Sequence, residues 1–352
     1  MRGHKPMRRS LLLIHPGALG DVLLALSAIR SIRAAFPTHE CGLIAGEQVG
    51  RLLFACGEVD RLFPLEQGGL AGLLAGTESA DSGLCSWLDR ADLATGWMKD
   101  AEGRLAATLS ALGVGRVIIR SPFDSGCMNL HQADRHLEIV ASTVGEERTT
   151  RPLRLPEAIL QAATASLAKA GVRKDQVLVA VHPGSGSLHK CCEPGWFVEL
   201  VAQLQAFGAV PLLLAGPADT ERVRAVQQAC VASPLVFKGQ ELISVAGLMA
   251  QVALYIGHDS GITHVAACLG VPTIALFGPT DPERWAPRGG HVEIVSGAPC
   301  LCNEWDRVQA CTEKRCLRVP IERVIEGCLG RLLARAKSTS SNQLRSSLSC
   351  HA

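Results

Sequence analysis

Short runs of consecutive apolar residues recur along this chain, separated by stretches whose apolar positions repeat at helical spacing. In the first half, residues 11–14, 41–45, 59–65, 91–95 and 116–120 read as strands. Short apolar runs without alternation fit strands covered on both faces, as in parallel sheets. Between them, residues 21–36 place Val22, Leu23, Leu26, Ile29 and Ile32 on one helical stripe before Pro37 stops it. Residues 47–56, 101–112 and 129–144 read as further helices. Residues 66–86, rich in Gly, Ala and Ser, show no period and are expected to form a loop with room for one short helix. A helix over 157–170 is read as closing this half. A second series follows, with strands at 177–181, 210–215, 235–237, 254–257, 272–277 and 291–295. Its helices fall at 195–207, 219–230, 243–251, 262–269 and 319–334. Such alternation predicts an α/β protein built on doubly wound parallel sheets.

The two halves echo each other. Ile14-His15-Pro16-Gly17 follows the first strand of one, and Val181-His182-Pro183-Gly184 follows the first strand of the other. Two Rossmann-like domains are therefore expected, 1–155 and 156–335, with a Ser-rich disordered tail over 336–352. The polar stretch 146–156 serves as linker or edge. A chain of 352 residues with 47% hydrophobic and 19% charged content supports two sizeable cores. Its net charge of +2 argues against a general nucleic-acid binder. The start, MRGHKPMRRS then LLLI, imitates a signal peptide. Its apolar run ends after four residues, and no stretch reaches the ~20 apolar residues of a membrane span. A cytoplasmic protein is expected, with peripheral inner-membrane contact through the leading basic residues as an option.

Strand-to-helix turns carry the candidate chemistry. The first four amides of a helix lack internal partners and the dipole is positive there, so a turn of small residues before a helix suits an anion. Asp259, Ser260 and Gly261 open the helix after strand 254–257. Asp259 and Ser260 can cap that helix, and His264 lies one turn in, facing back toward the opening. Ser185, Gly186, Ser187 and Lys190 form a small-residue loop ending in a cation, suited to phosphate but without P-loop spacing. A polar surface turn is the plain alternative. Asp21, in the first turn, is either a helix cap or a general base. Glu221 is either a ribose-binding acid or a first-turn acid favoured by the dipole. Neither half has a G-x-G-x-x-G turn after its first strand, which disfavours a dehydrogenase.

Taken together, Gly20-Asp21, the Ser185-to-Lys190 loop, Glu221, D-S-G-x-x-H at Asp259 to His264 and F-G-P-T-D-P at Phe277 to Pro282 resemble glycosyltransferase family 9, the ADP-heptose:lipopolysaccharide heptosyltransferases. The match in order and spacing extends over roughly residues 10–335. The resemblance implies a GT-B fold, two Rossmann-like domains facing a central cleft. The N-terminal domain would take a lipid A/core oligosaccharide acceptor and the C-terminal domain an ADP-sugar donor. The implied reaction is an inverting, metal-independent displacement with no cofactor. It places Asp21 as catalytic base and Lys190 against the departing diphosphate. Ser185 and Ser187 fall in the phosphate loop, beside Gly186. Asp259, Ser260 and Gly261 fall on the sugar and phosphates, His264 beside them, and Glu221 on the ribose. Two departures stand out. Cys191-Cys192-Glu193-Pro194-Gly195-Trp196 follows Lys190 where Trp-Pro is common, and Ser27 stands where Pro is common. Other readings are a GT-B transferase or epimerase using another nucleotide sugar such as a UDP-sugar, and a non-catalytic nucleotide-sugar-binding protein.

Of the 14 cysteines, most are scattered as small buried hydrophobes. Four are not: Cys300, Cys302, Cys311 and Cys316 have C-x-C-x8-C-x4-C spacing. Four thiols in a short polar loop suit structural zinc, a reducing compartment disfavours disulfides among them, and the family resemblance implies a structural role, since similar Cys-rich loops occur in that family.

Overall fold

A computed structural model describes residues 9–75, 82–124, 130–144, 151–300, 302 and 304–332. The expected tail at 336–352 lies outside the described residues. The chain divides into two units. One comprises Met1–Pro156 with Glu283–Arg288, and the other comprises Glu157–Pro282 with Gly289–Ala352.

The first unit is a five-stranded parallel sheet in the order β3-β2-β1-β4-β5. Its strands are β1 (Ser10–Ile14), β2 (Glu40–Ala45), β3 (Arg61–Pro64), β4 (Ala91–Trp97) and β5 (Arg116–Arg120). Every residue of β1 is buried, as its unbroken apolar run requires of a central parallel strand. The helix expected over 21–36 is two, Leu19–Leu24 and Leu26–Ala35, meeting at Ala25. The stretch expected as loop contains helices Gly69–Ala75 and Ser82–Leu88. Leu70, Leu73, Leu84, Trp87 and Leu88 go into the core beside Phe63 and Leu12, so tertiary burial supplies what helical period did not.

A buried ion pair ties this unit together. Arg30 Nε and Nη2 donate to Glu58 Oε2 and Oε1 at 3.0 and 2.8 Å, and Arg30 Nη1 donates to the Arg151 carbonyl at 2.6 Å. Arg151 Nη2 adds a 3.2 Å bond to Glu58, so the polar stretch near 151 is fastened to the unit.

The second unit is a six-stranded parallel sheet in the order β11-β10-β9-β6-β7-β8. It comprises β6 (Leu178–His182), β7 (Val210–Ala215), β8 (Leu235–Lys238), β9 (Leu254–His258), β10 (Thr273–Phe277) and β11 (Val292–Ser296). Counted from β6, this is the Rossmann order 3-2-1-4-5-6 read from the far edge. Helix Glu157–Lys169 belongs here rather than to the first half. It packs on helix Leu242–Met249, where Ile159 lies against Gly247. In both units the winding reverses between the first strand and the fourth. Ligands of open α/β sheets bind outside the strand carboxyl ends at that reversal.

Candidate functional site

In the first unit the reversal lies between β1 and β4. The turn leaving β1 leads into helix Leu19–Leu24, and Asp21 is its third residue. The Ala18 amide donates to Asp21 Oδ2 at 3.2 Å, so the carboxylate closes the turn it sits on. Below it, the Gly17 amide donates to His15 Nδ1 at 3.2 Å. That leaves the His15 proton on Nε2, which points to His136 Nε2 at 3.1 Å. His136 comes from helix Gln132–Val144, whose carbonyl at His136 accepts from Trp97 Nε1 at 3.1 Å. Burial, with His136 close by, pushes His15 down to about 3, and burial pushes His136 down to about 4. Both imidazoles are therefore neutral near pH 7 and act as a rigid floor for the Asp21 turn.

The second unit places its reversal between β6 and β9, and there several of the expected residues meet. Ser185, after β6, donates its hydroxyl to the Asp259 carbonyl at 2.9 Å. Lys190 Nζ reaches Asp259 Oδ2 at 2.8 Å, and Thr280 Oγ1, after β10, donates to the same oxygen at 2.7 Å. Ser187 caps the turn Leu188–Lys190, accepting from the His189 amide at 3.3 Å. A side chain at Gly186 would meet nothing nearby, so this stretch of backbone is open to close approach. Ser260 occupies the N-cap of helix Gly261–Cys268 without a side-chain cap bond. Capping by Asp259 and Ser260, expected from sequence, is not what these side chains do. Asp259 is held by Lys190 and Thr280, and Ser260 Oγ pairs with Thr263 Oγ1 at 3.2 Å. His264 is buried within the helix.

Glu221 stands apart. It is exposed in the first turn of helix Thr220–Ala229 and pairs with Arg224 one turn on, the plain alternative for a first-turn acid. Its neighbour Asp219 is the buried acid. Asp219 Oδ2 accepts from His182 Nε2 at 2.9 Å, and the Ser185 and Gly216 amides also donate to the carboxylate. Burial pushes the Asp219 pKa up, but these donors outweigh it and the net shift is downward. A Cβ at Gly184 would lie 2.1 Å from the Asp219 carboxyl, so glycine is what lets the loop close on it. His258 completes the support. Its Nε2 accepts from the Cys192 amide at 2.9 Å and its Nδ1 lies 3.2 Å from the Gly184 carbonyl. Burial holds His258 at about 3, hence neutral. Asp219, His258 and Thr280 were not singled out from sequence. The repeated H-P-G turn pointed at His182, and the polar residues ending β9 and opening the loop after β10 were the available signal for the others.

The arrangement at β6, β9 and β10 offers a cation, two hydroxyls, a carboxylate and open loop backbone around one point. That set can bind a polyanion bearing hydroxyl groups.

Among the described residues no helix is long and apolar enough to cross a membrane.

Comparison with known proteins agrees in kind. The family described as Glycosyltransferase family 9 (heptosyltransferase) matches residues 126–316. Lipopolysaccharide heptosyltransferase 3 of Escherichia coli is 30% identical over 116 residues, 32% of this chain and 34% of that protein. The chain thus aligns with about a third of the length of that curated relative. In fold, the family 9 glycosyl transferase of Veillonella parvula superposes with a TM-score of 0.78 at 19% identity, covering 94% of this chain and 100% of that one. The ADP-heptose lipopolysaccharide heptosyltransferase II of E. coli gives 0.73 at 19% identity, covering 93% and 99%. These are GT-B proteins, as expected for two Rossmann-like units. With the family match spanning more than half of its residues, the chain belongs to glycosyltransferase family 9, the heptosyltransferase family.

Proposed function

We propose that this protein transfers a heptose, or a related sugar, from an ADP-sugar to a hydroxyl of a lipopolysaccharide inner-core acceptor, with inversion and without a metal ion. The observation that carries the reading is the convergence of Lys190, Thr280 and Ser185 on Asp259 at the carboxyl ends of β6, β9 and β10. A departing ADP accumulates negative charge as the anomeric bond breaks. Lys190 and the open backbone at Gly186 are suited to stabilise it. Asp259, Ser260 and Gly261 provide hydrogen-bonding groups for sugar hydroxyls and phosphate oxygens, with His264 packed beneath. Asp21 takes the proton of the attacking hydroxyl, and the displacement needs no covalent enzyme intermediate. Glu221 is the ribose acid in this scheme only if it leaves Arg224.

The test is incubation with ADP-heptose and a panel of truncated lipopolysaccharide cores, read by mass spectrometry. One heptose increment on a core is the expected outcome, and no increment on any core refutes the assignment. Asp21→Ala should lower turnover by about 100-fold or more, as loss of a general base does, while donor affinity persists. Full turnover in that variant removes Asp21 as base. Thermal-shift comparison of ADP, UDP and GDP separates the ADP-sugar reading from transfer using another nucleotide sugar.

A further inference from the structure

Four cysteines that the transfer reaction does not use are gathered by the fold. Cys300 follows β11, Cys311 ends the short helix Trp305–Ala310, and Cys316 sits in the turn Arg315–Leu317. The sulfurs of Cys300, Cys302 and Cys311 all lie within 4.8 Å of one another, and the Cys316 thiol, outside that trio, makes a side-chain hydrogen bond with Cys300. All four are free thiols. A tetrahedral ion with metal–sulfur bonds of about 2.3 Å sets its sulfurs about 3.8 Å apart, so modest side-chain rotation brings this cluster onto one ion. Three of the thiols are half-buried and Cys316 is buried in the second unit's core. Four thiolates and one divalent ion leave a net negative site. Lys314, Arg315 and Arg318 lie within two residues of Cys316 in the sequence, Arg315 being paired with Glu313 at 2.7 Å.

We propose that Cys300, Cys302, Cys311 and Cys316 form a closed structural site for one thiophilic divalent ion, zinc or iron. Four sulfur ligands leave no open position for substrate, which marks the site as structural rather than catalytic. Each thiol releases its proton to solvent as it ligates, so occupancy falls as the medium is acidified. The site fastens the loop 300–316 where it supports β10. The Gly297 amide donates to the Cys316 carbonyl at 3.0 Å, and Leu317 packs so closely on Gly278 that a Cβ there would lie 2.4 Å from it. Gly278 opens the loop that carries Thr280. Without the ion, that loop loses its backing.

The experiment uses the full chain, expressed with zinc and iron in the medium and purified under reducing conditions without chelator. Elemental analysis should find about one ion per chain. An iron–thiolate absorption band identifies iron, and its absence with bound metal identifies zinc. Cys302→Ser and Cys311→Ser, chosen because Cys316 is part of the core, should each lower metal content about tenfold, while Cys85→Ser leaves it intact. A mercurial should release the ion, lower the melting temperature and expose four thiols to a thiol reagent. Metal-free wild-type protein whose melting temperature is unmoved by added Zn2+ or Fe2+ overturns the proposal. So does metal retained in both serine variants, or mass spectrometry finding the four cysteines paired as disulfides. None of these readouts depends on sugar transfer.

Discussion

Lowering the pH from 7.5 to 5.5 perturbs this protein through imidazoles that the native state keeps neutral. His15 and His258 are held at about 3 and His136 at about 4, in each case chiefly by burial. In the unfolded chain each returns to about 6.5 and is about nine-tenths protonated at pH 5.5. The native pKa is the lower one, so the unfolded state binds more protons between the two values. Stability is complete above about pH 6.5 and declines as pH falls toward the native values. Each imidazole then costs on the order of 1 kcal/mol at pH 5.5, and the three together several kcal/mol, a large part of a typical folding free energy. His131, also lowered by burial and by Arg288, adds in the same direction. Carboxylates held below their usual range, Asp92 and Asp219 among them, release their contributions only below about pH 4, outside this window. Urea unfolding at the two pH values, followed by tryptophan fluorescence, measures the loss. Trp97 stands with its ring 5.8 Å from His15 and 6.0 Å from His136, and reports on that cluster directly. Hydrogen exchange resolves the two units, and the first, holding two of the three imidazoles, should lose about twice as much protection as the second. A fall in stability of less than about 1 kcal/mol would show that these histidines are already protonated or reach water in the native state.

Two further outcomes follow from the second unit. Gly184→Ala should destabilise it by about 1–3 kcal/mol in urea unfolding, because the new Cβ overlaps the Asp219 carboxyl and must push it off His182; an unchanged midpoint contradicts that close approach. Lys190→Ala should weaken ADP binding at least tenfold in calorimetry, since its cation is the charge that the proposed donor site offers a phosphate; unchanged affinity removes Lys190 from the donor site.

What the sequence made legible was set by burial on two sides. Strands such as β1, β6 and β10 are wholly buried, so their apolar runs stand out against any neighbour. The helices at Gly69–Ala75 and Ser82–Leu88 were illegible for the opposite reason. Gly and Ala dominate the first, and its stability comes from Leu70 and Leu73 reaching a core assembled from distant strands. The candidate site divides in the same way. Ser185, Lys190 and Asp259 announced themselves as polar residues at strand ends. Asp219 and Glu221, two residues apart in one helix start, carry the same local signal, and only burial against His182 and Gly184 distinguishes the structural acid from the exposed one. His258 ends β9, one residue beyond the strand expected over 254–257, and carries no local signal because its role depends on Cys192 and Gly184, far away in sequence.

The allocation of Glu283–Arg288 to the first unit has a consequence for anyone who cuts or recombines this chain. The polypeptide passes between the units three times, after Pro156, after Pro282 and after Arg288. His131 Nε2 bonds to the Ala286 carbonyl at 2.9 Å, Asp134 to Arg288 at 2.7 Å, and Phe123 stacks on Trp285. A fragment ending at residue 156 would therefore carry a first unit stripped of these partners. A chimera joined there would furnish them from a foreign donor half. Module boundaries drawn along the sequence do not coincide with those drawn through space, and a half-exchange that respects the latter must transplant six residues from the far side of the chain.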